Sequence, residues 1–245
     1  MTRHELLIIM TVGMSTIAGS VMVVYTTMLF PIYGAGLIGH FLSASLISVP
    51  AAIMYSNIML PSDVKTDFPD KSSNELYASV MDAITQGTKN GLDIFLNVIA
   101  MLIVVMALVF LVNSILSLFP PLFGDPITLE LLLGYLFAPL AWFMGISWEE
   151  SIIAGQLLGV KTALNEFVAY LYLADTETYQ LSDKSRLIML YALCGFANFS
   201  SVGILLSGLS AMIPERRMDL ISVSGKALWG ALLASCLTGF MIGIL

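Results

Sequence analysis

The sequence predicts an all-α integral membrane protein with five transmembrane helices, one re-entrant hairpin and interfacial helices. Three observations carry that prediction. Hydrophobic residues make up 58% of the chain and charged residues only 11%, and the mean hydropathy is +0.92, far from the quarter of charged residues usual in soluble domains. No Asp, Glu, Lys or Arg occurs between Leu6 and Ser62, although a bilayer requires only about 20 apolar residues per helical crossing. Between Thr128 and Tyr172 the apolar sequence is cut repeatedly by Pro139, Gly145, Glu149, Glu150, Gly155, Gly159, Lys161 and Glu166, a pattern of broken helices tolerated at membrane depth only against protein or a watery cavity.

The uncharged amino-terminal run holds two crossings, about 5–30 and 35–60, with the break predicted at Phe30 to Gly34, where Pro31 lacks an amide hydrogen and Gly34 admits left-handed angles. Pro50 lies inside the second and should kink it. Residues 61–93 are too charged for hydrocarbon and form a polar loop. Its second half, Asn74 to Lys89, spaces Leu76, Val80, Ala83 and Ile84 as a short amphipathic helix at the interface. A third crossing follows over 94–119, ending before Pro120 and Pro121. Residues 127–145 read as an interfacial helix, about 149–174 as a re-entrant hairpin, and 185–245 as the last two crossings, the first unwound at 195–201. The first apolar run is too long for a cleavable signal peptide.

The basic residues orient this topology. Arg3, Lys65, Lys71, Lys89, Arg216, Arg217 and Lys226 fall on one side, and Lys184 and Arg186 on the other. Seven against two places the amino terminus inside and the carboxyl terminus outside. A full crossing at 149–174 would exchange the sides of Lys184 and Arg186 with those of Arg216, Arg217 and Lys226 and reduce the bias to six against three, so charge also favours the hairpin. The formal charge of -7 argues against nucleic acid as a partner. Cys194 and Cys236 lie in apolar runs and read as small buried hydrophobes. With no HExxH, GxSxG or phosphate-binding loop and no Cys/His metal spacing, the sequence does not read as an enzyme, and it implies no cofactor.

Three polar interruptions at membrane depth demand a physical reason. Glu166 is flanked by apolar sequence, and an ionised carboxylate in hydrocarbon costs several kcal/mol unless paired or hydrated. It is either an acceptor for a hydroxylated or cationic substrate or one half of an internal pair with Lys161. The run from Gly195 to Ser201 (GFANFSS) offers Asn198 and two serines in the middle of a crossing. This fits a locally unwound helix that meets ligand hydroxyls, or ordinary interhelical bonding. Ser15 to Val21 (STIAGSV) is similar. It is either a close packing face or an opened turn whose carbonyls and Thr16 hydroxyl face a hard cation. Two crossings with such interruptions suggest an inverted repeat. The GxxxG pairs Gly155/Gly159 and Gly239/Gly243 read as packing faces, His40 as a satisfied core histidine and His4 as interfacial.

The run from Gly159 to Tyr170 (GVKTALNEFVAY), followed by Cys194 to Ser201 (CGFANFSS), closely resembles the concentrative nucleoside transporter family. The resemblance extends to Met1–Leu6, Ser15–Val21, Ser48–Ala52 and Leu133–Trp142, and so along essentially the whole chain. It implies part of an inverted-repeat transporter in which a nucleoside binds between two hairpins and two unwound helices, driven by a Na⁺ or H⁺ gradient. By motif, Glu166, Asn198 and Ser201 would bind ribose hydroxyls, Phe196 would line the pocket and Val21 would touch the base. Thr16, through its hydroxyl, and Ile17, through its carbonyl, would lie at the cation. A homotrimer in the plasma membrane, or the inner membrane of a bacterium, is implied in the same way. The family pattern has three further crossings and a hairpin with a Gly-Gln-Thr-Glu motif upstream of the position of Met1. This chain is therefore expected to be the carboxyl-terminal part: a fragment, a product of an internal start, or one half of a split pair completed by a separate amino-terminal half. The alternative is a transport-inactive subunit that assembles with a longer partner.

Overall fold

The computed structural model describes residues 1–62, 78–121 and 126–245, and among these residues it contains helices and no strands. The expected first crossing is two helices, α1 (Arg3–Ser15) and α2 (Gly19–Tyr33), parted at Thr16–Ala18. Thr2 caps α1, accepting from the Glu5 amide while the Glu5 carboxylate accepts from the Thr2 amide, which satisfies two of the four amides a helix start leaves open. The predicted break at Phe30–Gly34 is shifted: Pro31 lies inside α2, and the helix stops only where Gly34 takes φ 66°. Proline removes one intrahelical bond, but a change in the sign of φ reverses the chain direction.

Helix α3 (Leu37–Met59) carries Pro50 inside it. Over the described residues, the interfacial helix expected over 74–89 and the crossing expected over 94–119 are one helix, α4 (Val80–Leu116); residues 63–77, where most of the polar loop and the start of the interfacial helix were expected, lie outside the described residues, Lys65 and Lys71 among them. No proline interrupts 80–116, and at 1.5 Å per residue such a helix is about 55 Å long, against about 30 Å of hydrocarbon. Its first turns can therefore carry Asp82 and Lys89 beyond the apolar slab without a break.

Helix α5 (Leu129–Phe143) turns through 119° into α6 (Trp148–Ala163). Glycines set how closely this pair packs. A Cβ on Gly155 would run into the Gly134 carbonyl oxygen, and one on Gly159 into the Leu133 side chain. Helix α7 (Glu166–Ala174) follows after two residues. The crossing expected from residue 187 is again two helices, α8 (Asp183–Leu193) and α9 (Phe199–Met212), and α10 (Arg217–Ile244) ends the chain. The unwound segment is 194–198 rather than 195–201, because the Asn198 side chain accepts from the Ser201 amide at 2.7 Å and restarts the helix at Phe199. Ser200 and Ser201 are thus helical.

Helix α10 packs against α1, α3 and α8 and forms the spine of the core. Gly239 and Gly243 lie on its close-packed face: a Cβ on the first would meet Ala192 and the Ile188 carbonyl oxygen, and one on the second the Met144 carbonyl oxygen. By length and composition, Arg3–Met59 and Pro214–Ile244 are apolar enough to cross a membrane, and α5 with α6 qualifies only as a bent pair. Long-range bonds sort the helix ends into two groups. At one end Arg3 and Arg216 both bind Asp219, His4 meets the Leu60 carbonyl and Lys226 donates to the Met59 carbonyl. At the other, Tyr33 donates to the Arg186 carbonyl, Glu150 accepts from the amide and hydroxyl of Ser182, and Arg186 donates to the Leu173 carbonyl. Both outer ends of the α6–α7 pair therefore sit beside the start of α8.

Candidate functional site

The two unwound segments cross each other. Gly195 has φ 129°, and a Cβ there would lie 2.7 Å from the Ser15 carbonyl oxygen and 3.1 Å from the Ser235 hydroxyl. Only a glycine allows this approach, both for its φ and for its missing side chain. Beyond Gly195 the chain folds back tightly, with the Asn198 amide donating to the Phe196 carbonyl at 2.8 Å. That turn aims Asn198 at the α6–α7 junction.

There Glu166, 5% exposed, begins α7 next to its cap residue Asn165, whose side chain accepts from the Val168 amide. The Tyr25 hydroxyl donates to Glu166 Oε1 at 2.9 Å, and Asn198 Nδ2 donates to Oε2 at 3.0 Å. Tyr25 and Asn198 are each 1% exposed. The starts of α7 and α9 and the middle of α2 thus converge on one carboxylate, which lies at the positive end of its own helix. Among the described residues no ion pair joins it to Lys161. The Lys161 ammonium, 0% exposed, donates instead to the Ala192 carbonyl at 2.8 Å. The internal-pair alternative is therefore not the one the geometry adopts.

The other residues named from sequence lie on α2, on α9, in the break before α9, or in the break between α1 and α2. Ser201, buried, is one helical turn beyond Asn198 and bonded to it through its amide. Val21, half-buried, precedes Tyr25 by four positions and shares its face of α2. Phe196, half-buried, supplies the carbonyl that closes the turn. Thr16 and Ile17 occupy the break between α1 and α2. The Thr16 hydroxyl donates to the Val12 carbonyl at 3.2 Å, and the Ile17 amide donates to the Ser45 hydroxyl at 3.4 Å. The Thr16 oxygen keeps its lone pairs, and the Ile17 carbonyl is not committed to a helix. Among the described residues no group of three or more His, Cys, Asp or Glu side chains is placed to hold a metal ion, so any cation here would be held by hydroxyls and carbonyls.

Sequence reasoning missed Tyr25. Its ring packs against Tyr170 (4.7 Å between centroids), Phe41 and Phe167, which fixes the hydroxyl on Glu166. The available signal was a phenol in an otherwise uncharged run four residues after Val21. An apolar recess of about 190 Å³ between Tyr55, Leu140, Phe143, Leu233 and Phe240 shares no residue with this cluster. The cluster itself borders an open side of the chain, where Ala18, Gly19, Ser20, Phe167 and Phe199 are exposed.

Comparison with known proteins settles the family. The profile described as "Na+ dependent nucleoside transporter C-terminus" matches residues 40–243. The chain belongs to the concentrative nucleoside transporter family. Among curated members of this transporter family, an uncharacterized transporter of Bacillus subtilis is 39% identical, with all of this chain matched to 60% of that protein. A nucleoside permease of Helicobacter pylori is 33% identical, and 58% of it is covered. Human solute carrier family 28 member 3 is 34% identical, and 37% of it is covered. Among solved structures of concentrative nucleoside transporters, one in an inward-facing substrate-bound state superposes with TM-score 0.82 at 34% identity, matching the whole of this chain to 57% of that one. An intermediate state of the same transporter gives 0.84. The chain spans about 60% of the length of the bacterial relatives it matches.

Proposed function

We propose that this chain carries the ribose-binding half of the site of a cation-coupled nucleoside symporter. The observation that carries the reading is the Glu166 carboxylate, buried and held by two neutral donors, Tyr25 and Asn198, rather than by a cation. A carboxylate offers about four lone-pair positions. Tyr25 and Asn198 each take one, and positions that remain suit vicinal hydroxyls such as those of ribose. An alternative substrate with no donor at that place would leave the carboxylate short of partners, at about 1–3 kcal/mol per missing bond.

In this reading Asn198 and Ser201 fix the sugar, Phe196 lines the pocket and Val21 meets the base. The Thr16 hydroxyl and the Ile17 carbonyl lie at the coupling ion, Na⁺ or H⁺. The position of both outer ends of α6–α7 beside α8 supports a re-entrant hairpin, and the bonds between α7 and the broken helix support their moving together during alternating access. The protein would be a multi-pass homotrimer of the plasma membrane, with its amino terminus inside and its carboxyl terminus outside. The test is gradient-driven uptake of labelled uridine into vesicles, with this chain alone and with a supplied amino-terminal half. Uptake should fall sharply for Glu166→Gln, and undiminished uptake would remove the ribose assignment.

A further inference from the structure

A helix that stops inside an apolar interior leaves its last four carbonyls without amide partners, and each needs another donor. Helix α8 stops at Leu193. The Leu190 carbonyl accepts from the Tyr170 hydroxyl at 2.8 Å, and the Ala192 carbonyl accepts from Lys161 Nζ at 2.8 Å. The Tyr191 carbonyl accepts from the Cys194 amide at 3.1 Å and from the Thr238 hydroxyl at 3.2 Å. Thr238 has one proton, and its shorter contact is to Ser235 at 2.6 Å, so Thr238 is the minor partner here.

Lys161 lies on α6 and Tyr170 on α7. Each arm of the pair therefore sends one donor to the last turn of α8, and Glu166 lies between them in sequence. Lys161 is wholly enclosed, so its ammonium depends on that carbonyl and on the negative end of the α8 dipole. A lysine that served only to fill space there would be replaced without loss by an apolar chain of equal length.

We propose that Lys161 and Tyr170 are positioning residues. By capping the interrupted end of α8 they fix where the helix stops, and so they hold Asn198 against Glu166. The role of Asn198 in sugar binding rests on the reading given above, whereas the cap itself does not.

The experiment uses the full chain in lipid nanodiscs, supplemented with the amino-terminal half for binding measurements. Lys161→Met and Tyr170→Phe each delete a donor at nearly constant shape, and Thr238→Val is the control, because Tyr191 keeps the Cys194 amide. Amide hydrogen exchange over 194–201 should quicken by about tenfold in the first two and little in the third. Uridine affinity should fall by a similar factor. In combination with Asn198→Ser, Lys161→Met should add almost nothing further, because both act through the same contact. Unchanged exchange at 194–201 in both Lys161→Met and Tyr170→Phe would overturn the cap. Additive losses of affinity would overturn its action through Asn198. Normal uridine affinity in Glu166→Gln would instead remove the ribose reading and leave the exchange result standing, so the two failures are distinguishable.

Discussion

Asn198 performs two tasks that a substitution series can separate. Its Oδ1 accepts from the Ser201 amide at 2.7 Å, and its Nδ2 donates to Glu166 Oε2 at 3.0 Å. Serine retains the capping oxygen but supplies no amide donor at that reach. Asn198→Ser should therefore keep the start of α9 and lose the bond to the carboxylate, a charge-assisted bond of about 1.5–3 kcal/mol, or roughly a ten- to hundredfold weaker nucleoside affinity. Asn198→Ala loses the cap as well, a further cost of about 1 kcal/mol that appears in stability rather than in affinity. Asn198→Asp keeps the cap but sets a second carboxylate against the first. Like charges at that separation are tolerated only with a shared proton, so its binding should recover as the pH is lowered while that of the serine variant does not. Isothermal titration of uridine at two pH values, with thermal unfolding measured in parallel, reads each quantity. Equal affinity for the serine variant and the parent protein would refute the reasoning.

Other consequences of the geometry are open to the same methods. Tyr25→Phe deletes the second donor to Glu166 and should weaken nucleoside binding by about 1–3 kcal/mol, with the aromatic packing against Tyr170 and Phe41 retained; calorimetry with unchanged circular dichroism would show it. Gly195→Ala forces a side chain into the Ser15 carbonyl at a φ that disfavours it, at a cost of about 1–3 kcal/mol from backbone strain alone. Its thermal midpoint in detergent should fall, and an unchanged midpoint would show that the two breaks do not touch. Gly155→Val should part α5 from α6 and lower the midpoint, whereas Gly36→Ala, where a Cβ meets nothing within 4 Å, should not.

Much of this arrangement was legible because a bilayer makes polar residues conspicuous. Glu166 and Asn198 each stood out from sequence as an unusual residue in an apolar run, and the family resemblance is what joined them, while the small and hydroxylated residues at Ser15–Ser20 and Gly195–Ser201 allowed either a break or a packing face at each place. Their limits were less legible. The second break ends at Asn198 because a capping bond restarts the helix there, and that bond depends on a side-chain rotamer. Pro31 was overread: a missing donor weakens a helix without reversing it, which the positive φ of Gly34 does. The single helix over Val80–Leu116 escaped because its charged first turns mimic a separate surface element. Tyr25 and the true partner of Lys161 escaped for a different reason. Each contact spans a large separation along the chain, Tyr25 to Glu166 across 141 positions and Lys161 to Ala192 across 31, and no local pattern encodes it.

The most direct measurement compares the affinity of uridine with that of its 2′,3′-dideoxy analogue, in the parent protein and in Glu166→Gln, each completed with an amino-terminal half. If the buried carboxylate receives the sugar hydroxyls, the parent should prefer uridine strongly and the variant should lose most of that preference while binding the analogue much as before. If the ratio of the two affinities is the same in both proteins, the carboxylate does not meet the sugar.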